Sequence, residues 1–178
     1  MMKYFLTILS IGLSSFVLIC CNSAIENSDT FPSPNVIVAR IDQTQYSGQC
    51  TGSITDIGGF KVVNVSAVDA QGRMLSIFLS KISSPGVYDI GDYILKNGNI
   101  VDAQVLVSYN YIISDTVRSR YGAVSGKAGI PQGSMTITDL TDSTFRATFS
   151  ATLTPCECNA DKKLLSLSGG SVSFTGKK

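Results

Sequence analysis

From Val36 onward, apolar and polar residues alternate with a period of two. Phe145, Ala147, Phe149, Ala151 and Leu153 share one face, and Thr144, Arg146, Thr148, Ser150 and Thr152 share the other, the pattern of a strand with one buried side. Val105, Val107, Tyr109, Tyr111 and Ile113 repeat it against Gln104, Ser108 and Asn110. Leu75, Ile77 and Leu79 repeat it around Ser76 and Ser80. Shorter runs predict strands at Val36–Ile41, Gln49–Ile57, Lys61–Asp69, Gly86–Ile90, Ser134–Leu140, Leu164–Leu167 and Ser171–Thr175. Turn-forming residues separate them at Gly58-Gly59, Asp69–Gly72, Ser84–Gly86, Asn97-Gly98, Pro131–Gly133 and Asp139–Asp142, where Gly, Pro, Asn and Asp supply the special backbone angles. No stretch combines a 3.6-residue apolar period with helix caps. Residues 36–178 are therefore predicted to form one all-β domain, an antiparallel meander closing as a sandwich or a curled barrel.

The first twenty residues read differently. One cation, Lys3, precedes the apolar run Tyr4–Ile19, which is too short for a membrane span and has the order of a secretory signal peptide. Leu18-Ile19-Cys20-Cys21 ends it and resembles a bacterial lipoprotein signal, in which a cysteine sulfur takes the diacylglycerol before cleavage. Cys21 is the expected lipidated residue, because Cys20 then fills the small-residue position, whereas a cut before Cys20 would follow bulky Ile19. Residues 21–35 continue from that cysteine as Asn22-Ser-Ala-Ile-Glu-Asn-Ser-Asp-Thr-Phe-Pro-Ser-Pro-Asn35, too polar to pack and composed like a flexible tether. The expected location is the cell envelope, at the outer membrane. Asn22–Glu26 lacks a Ser/Lys-acidic-acidic surface-export signal, which favours the periplasmic side.

The second half resembles a family of Bacteroidota lipoproteins of unknown function. Gly133-Ser-Met-Thr-Ile-Thr-Asp-Leu-Thr-Asp142, Phe145-Arg-Ala-Thr-Phe-Ser-Ala-Thr-Leu153 and Gly169-Gly-Ser-Val-Ser-Phe174 are similar to that family's GTLTIT, ISGTFSF and ITNGSF segments. Val38-Ala-Arg-Ile-Asp-Gln43 is similar to its AKIDG start, and Gly86-Val-Tyr-Asp-Ile90 to its GTYTL segment. Gln43 replaces the usual Gly, weakening the case for a tight turn there, and Arg146-Ala147 replaces Ser-Gly. The resemblance implies an exported, lipid-anchored β domain and carries no activity with it.

Composition narrows the chemistry. The chain of 178 residues has no His and a formal charge of +1, which excludes His-activated nucleophiles and imidazole metal sites and gives no basis for nucleic-acid binding. Removing residues 1–20 takes Lys3 away and leaves thirteen cations against thirteen anions, so membrane attachment would depend on the lipid rather than on charge. No cofactor is implied. Eleven of the thirteen acids are Asp. Asp89 with Asp92, and Asp139 with Asp142, lack the oxygen density of a calcium loop and are read as turn residues. An envelope hydrolase working through Asp carboxylates, with or without calcium, is the alternative function, but no acid pair is nominated.

Cys50, Cys156 and Cys158 remain after lipidation. In an oxidising envelope a structural disulfide from Cys50 to Cys156 or Cys158 is expected, closing a loop worth up to ~4.7 kcal/mol in the chain-entropy model. Free thiols, or a three-thiolate site for a soft metal, are the other readings. Arg118, Arg120 and Lys127 lie near Tyr121, with Tyr109 and Tyr111 close in sequence. They could form a glycan or acidic-peptide contact, although tyrosines on the apolar face of a strand belong more simply to the core. Asp115-Thr116-Val117 and Asp142-Ser143-Thr144 resemble a Bacteroidota O-glycosylation tripeptide. The favoured function is a non-enzymatic, lipid-anchored binding or structural module with a membrane contact and a glycan or protein partner.

Overall fold

The computed structural model describes residues 34–176 apart from 92, 97–98, 115–116, 124–130, 157–158 and 160–161. The signal peptide, Cys21, most of the tether, Asp92, Asp115, Thr116, Lys127 and Cys158 thus lie outside the described residues. Every regular element within them is a strand: β1 (Val36–Ile41), β2 (Thr44–Ile57), β3 (Phe60–Asp69), β4 (Met74–Ile82), β5 (Gly86–Ile90), β6 (Tyr93–Lys96), β7 (Asn99–Ala103), β8 (Val105–Ser114), β9 (Val117–Gly122), β10 (Gly133–Leu140), β11 (Thr144–Pro155) and β12 (Leu165–Thr175). The domain is all-β, as the alternation predicts.

Ten strands form one sheet in the order β10-β5-β8-β4-β3-β2-β1-β12-β11-β9, and pairings of β10 with β11 and of β8 with β9 close it into a ring. Among the described residues, β6 and β7 pair with each other as a separate two-stranded sheet. The strand path departs from a simple antiparallel meander at two places. At one, β9 pairs with β8 and β11 while β10 pairs with β5 and β11. At the other, β4 neighbours β8 instead of β5, and β5 meets β8 in parallel at Ile90 and Val105. The β6–β7 hairpin occupies the intervening chain. A further difference concerns the predicted strands Leu164–Leu167 and Ser171–Thr175, which, from Leu165 onward, are one strand, β12. It passes through an irregularity opposite β11 at Gly169-Gly170, where Gly169 has φ 55.

Alternation decides what fills the ring. In β11, Phe145, Ala147, Phe149, Ala151 and Leu153 are buried while Arg146, Thr148, Ser150 and Thr152 are exposed. Val63, Val65 and Ala67 of β3, Leu75, Ile77 and Leu79 of β4, and Val105, Val107 and Tyr109 of β8 meet them in one core. Small Ala39, Ala67, Ala147 and Ala151 sit among Phe145, Phe149 and Tyr46, the large-with-small packing that fills a narrow barrel.

The ring closes with a stagger. Cys50, Ala67, Leu75, Tyr109, Tyr121 and Pro155 form one row of paired residues across β2, β3, β4, β8, β9 and β11. At its first member, the Cys50 N–H donates to the Asn35 carbonyl just before β1. Beyond its last member, β11 reaches β12 at Leu153 and Leu165, and β12 reaches the far end of β1 at Leu167 and Ile41. A row that starts at one end of β1 returns at the other, so the strands are tilted about the barrel.

The β1–β2 connection is a tight two-residue turn despite Gln43, since Ile41 pairs with Thr44. Asp42 takes the left-handed angle there (φ 51). Its carboxylate accepts from Ser166 N–H and from Lys163 Nζ, both at 2.8 Å, which secures a conformation that Asp adopts more readily than most residues.

Candidate functional site

The two ends of the barrel differ. At one end lie the β1–β2, β3–β4 and β8–β9 turns and the chain between β11 and β12. Four tyrosines gather on the inner wall here. Tyr46 of β2 meets Tyr109 of β8 edge-on at 6.5 Å, and Tyr121 of β9 lies 6.3 Å from Tyr109 and stacks on Tyr111 at 6.1 Å. Period-two alternation places Tyr109 and Tyr111 on one face, and the β8–β9 register sets Tyr121 directly opposite Tyr109. Tyr46, Tyr109 and Tyr121 are buried and Tyr111 is half-buried. The three in the middle of the cluster are therefore core residues, not an exposed contact surface.

Arg73 closes this end. Its guanidinium pairs with Asp69, donates to Gln45 O at 2.9 Å and lies 5.8 Å from the Tyr46 ring centre. Asp69 also accepts from the Gln71 and Arg73 N–H groups at 2.9 Å each, the side-chain turn that Asp forms at the start of a tight connection. The Tyr46 hydroxyl donates to Ala67 O at 2.6 Å and accepts from Leu75 N–H at 3.1 Å. Burial is the main cause that pushes the Tyr46 hydroxyl up from 10.0 to about 12, and burial likewise raises Tyr109. These phenols stay neutral at physiological pH.

On the outer wall beside them is a cleft of about 360 Å³ lined by Ser108, Asn110, Arg120, Tyr121, Gly122, Thr154, Pro155 and Cys156. It forms where β9 pairs with both β8 and the last residues of β11. Arg120 is exposed there, whereas Tyr121 points inward. A clamp holds β9 in place. Asn159 Oδ1 accepts from Arg120 N–H at 2.9 Å, and Asn159 Nδ2 donates to Arg120 O at 2.8 Å. One buried side-chain amide thus pairs with both backbone groups of a single residue as a neighbouring strand would, beside the Cys156 N–H, which also donates to Arg120 O at 2.8 Å. Nothing local in the sequence marks Asn159, because its partner lies 39 residues away.

The other sequence-predicted residues are dispersed. Among the described residues no disulfide forms. Cys50 carries a thiol, buried inside the barrel, whose Sγ donates to Ser173 O at 3.7 Å, while Cys156 is exposed. The expected Cys50–Cys156 bond fails for a topological reason. Closure does bring β1 against β12, but Cys50 meets β12 near its end, at Ser173, whereas Cys156 lies past its start at Leu165, three residues beyond the Leu153 that pairs with Leu165. The strand between those points measures about 26 Å at 3.3 Å per residue, against the roughly 7 Å that a disulfide tolerates. Burial lifts the Cys50 thiol from 9.0 to about 11, so it is protonated and unreactive at neutral pH.

Four of the described acids, Asp42, Asp56, Asp69 and Asp142, have structural partners. Asp56 accepts from Gly59 N–H at 3.0 Å across the β2–β3 turn and pairs with Lys61. The Lys61 hydrogen bond, with that of Gly59, holds its carboxyl below the ordinary range. Asp42 is held low by Lys163 and Ser166. Asp142, at the β10–β11 turn, pairs with the same Lys61, and Asp89 is exposed on β5. No described group of three His, Cys, Asp or Glu side chains converges to hold a metal ion. The shallow cleft itself offers one guanidinium, the hydroxyls of Ser108 and Thr154, the Asn110 amide and the Cys156 side chain. Compared with family models, curated proteins and solved structures, the chain matches none of them.

Proposed function

We propose that this chain is a lipid-anchored, non-enzymatic binding or structural module of the bacterial envelope, attached through the Cys21 sulfur and facing the periplasm from the outer membrane. The observation that carries the non-enzymatic reading is the employment of the acids. Asp42, Asp56, Asp69 and Asp142 each hold a turn or pair with a cation, and a carboxylate committed to a cation is a poor general base. The interior, occupied by the domain's own side chains, supports a scaffold that presents its outer surface. The cleft at Arg120, Asn110, Ser108 and Thr154 suits a hydroxylated or carboxylated partner such as an acidic glycan, since guanidinium, amide and hydroxyl groups together donate to and accept from such groups. The N-terminal order of cation, apolar run, cysteine and polar tether, together with the resemblance to Bacteroidota lipoproteins, supports the anchor.

Two measurements test this reading. Intact mass of the detergent-extracted protein is expected to show an acylated N-terminus at Cys21, with Cys21→Ser leaving an uncleaved precursor. A mature N-terminus elsewhere, or no acyl mass, overturns the anchor. For binding, the domain from Asn22 onward is applied to a glycan array, and Arg120→Ala is expected to lower the signal for acidic glycans. Equal signals from both proteins would remove the cleft from the proposal.

A further inference from the structure

The end of the barrel opposite the tyrosines carries an apolar tip. Ile57 is 60% exposed and Phe60 47% exposed, paired across Gly58-Gly59, whose positive φ values of 64 and 87 make the two-residue hairpin turn that glycines permit. No atom lies within 4 Å of where a Cβ would sit on either glycine, so the turn stands in open space. The hairpin overhangs its neighbour. β1 begins at Val36, opposite Gln49, and Thr51–Ile57 run on beyond it.

The chain's exit lies at the same end. Asn35 precedes β1 there and accepts from Thr175 N–H at 2.8 Å, while the β10–β11 turn reaches the hairpin through the Asp142–Lys61 pair. The segment that leads from Asn35 back to Cys21 would span about 20 Å as a polar coil, so a lipid on Cys21 holds this end towards the bilayer. Lys61 sits between the carboxylates of Asp56 and Asp142 and offsets one of their two charges beside the tip. We propose that Ile57 and Phe60 enter the bilayer to which the chain is anchored, a second membrane contact that sets the barrel upright with its tyrosine end and Arg120 cleft away from the lipid. This rests on the anchor at Cys21. The acyl chains of the diacylglycerol already attach the chain stably, so the apolar tip contributes orientation rather than attachment.

The chain has no Trp, so Phe60→Trp introduces a single reporter at an exposed position. The lipidated variant, its acylation first verified by mass, is reconstituted into vesicles of phosphatidylethanolamine and phosphatidylglycerol. Blue-shifted emission is expected, quenched by brominated acyl chains and unchanged by high salt. A Val68→Trp reporter, placed beside the Asp69 turn where the native Val68 is 53% exposed, is expected to stay water-like. Adding Ile57→Asp to the Phe60→Trp protein should abolish the quenching while the protein still floats with the vesicles. Water-like, unquenched emission from the vesicle-bound Phe60→Trp protein overturns the proposal and leaves the anchor standing, as does equal quenching of both reporters. Absence of acyl mass overturns the anchor before any vesicle is added.

Discussion

Replacing Tyr46 by Phe removes one oxygen from the barrel interior and nothing else. Tyr46 is fully buried, and its hydroxyl joins Ala67 O of β3 to Leu75 N–H of β4. Two buried hydrogen bonds at about 1 kcal/mol net each put the loss at about 2 kcal/mol. For a domain of this size that lowers the melting temperature by about 4–8 °C. The same hydroxyl makes a second, pH-dependent contribution of opposite consequence. Its folded-state value, about 12, lies above the ordinary 10.0. Below about pH 10 both states hold the proton and pH has no effect. Between about pH 10 and pH 12 the unfolded chain releases it while the folded chain does not, so stability falls as pH rises, by an amount on the order of 2–3 kcal/mol. Phe has no proton to lose. The urea unfolding free energies of the two proteins, measured from pH 7 to pH 12, should therefore differ most at neutral pH and converge in alkali. Tyr109 and the Cys50 thiol, also raised, are present in both proteins and cancel in the difference. Parallel pH curves, or equal stability at pH 7, would refute the account of Tyr46.

Three other outcomes follow from particular contacts. Asn159→Asp keeps an acceptor for Arg120 N–H but loses the donor to Arg120 O and sets two acceptors face to face. It should cost about 1–3 kcal/mol at neutral pH, with partial recovery in acid, when the carboxyl can donate, as read by chemical denaturation. Gly133→Ala places a Cβ 2.0 Å from Ser150 O and must part β10 from β11, at about 3 kcal/mol. Gly58→Ala, with φ 64 and open space around it, should cost about 1 kcal/mol, and equal melting temperatures for the two variants would contradict the contact. Finally, in the chain from Asn22 with Cys156 and Cys158 replaced by Ser, the Cys50 thiol should react with an aromatic disulfide reagent at pH 8 only after denaturant is added. Rapid reaction of the native protein would contradict its burial.

The strands were legible because their causes are local. β1 at Val36–Ile41 and β5 at Gly86–Ile90 match the predicted bounds, since alternation and the flanking turn residues define a strand within a few positions. β9 shows the limit of that logic. Arg118-Ser119-Arg120 presents no apolar face to recognise, and this segment is a strand because β8, the end of β11 and the Asn159 amide supply its partners. Period two likewise says which face is buried without saying which strand lies alongside. That β4 neighbours β8, and that Cys50 arrives at Ser173 instead of beside Cys156, depend on the tilt at which the ring closes. The tilt depends in turn on the volume the interior side chains must fill. The Tyr46–Ala67–Leu75 bridge, the Arg73 cap and the Arg120 cleft all descend from that register. The residues of each strand determined that there would be a β domain with these inward faces. Only the packing of all of them together determined which side chains would meet, because register is set by long-range contacts that no short segment contains.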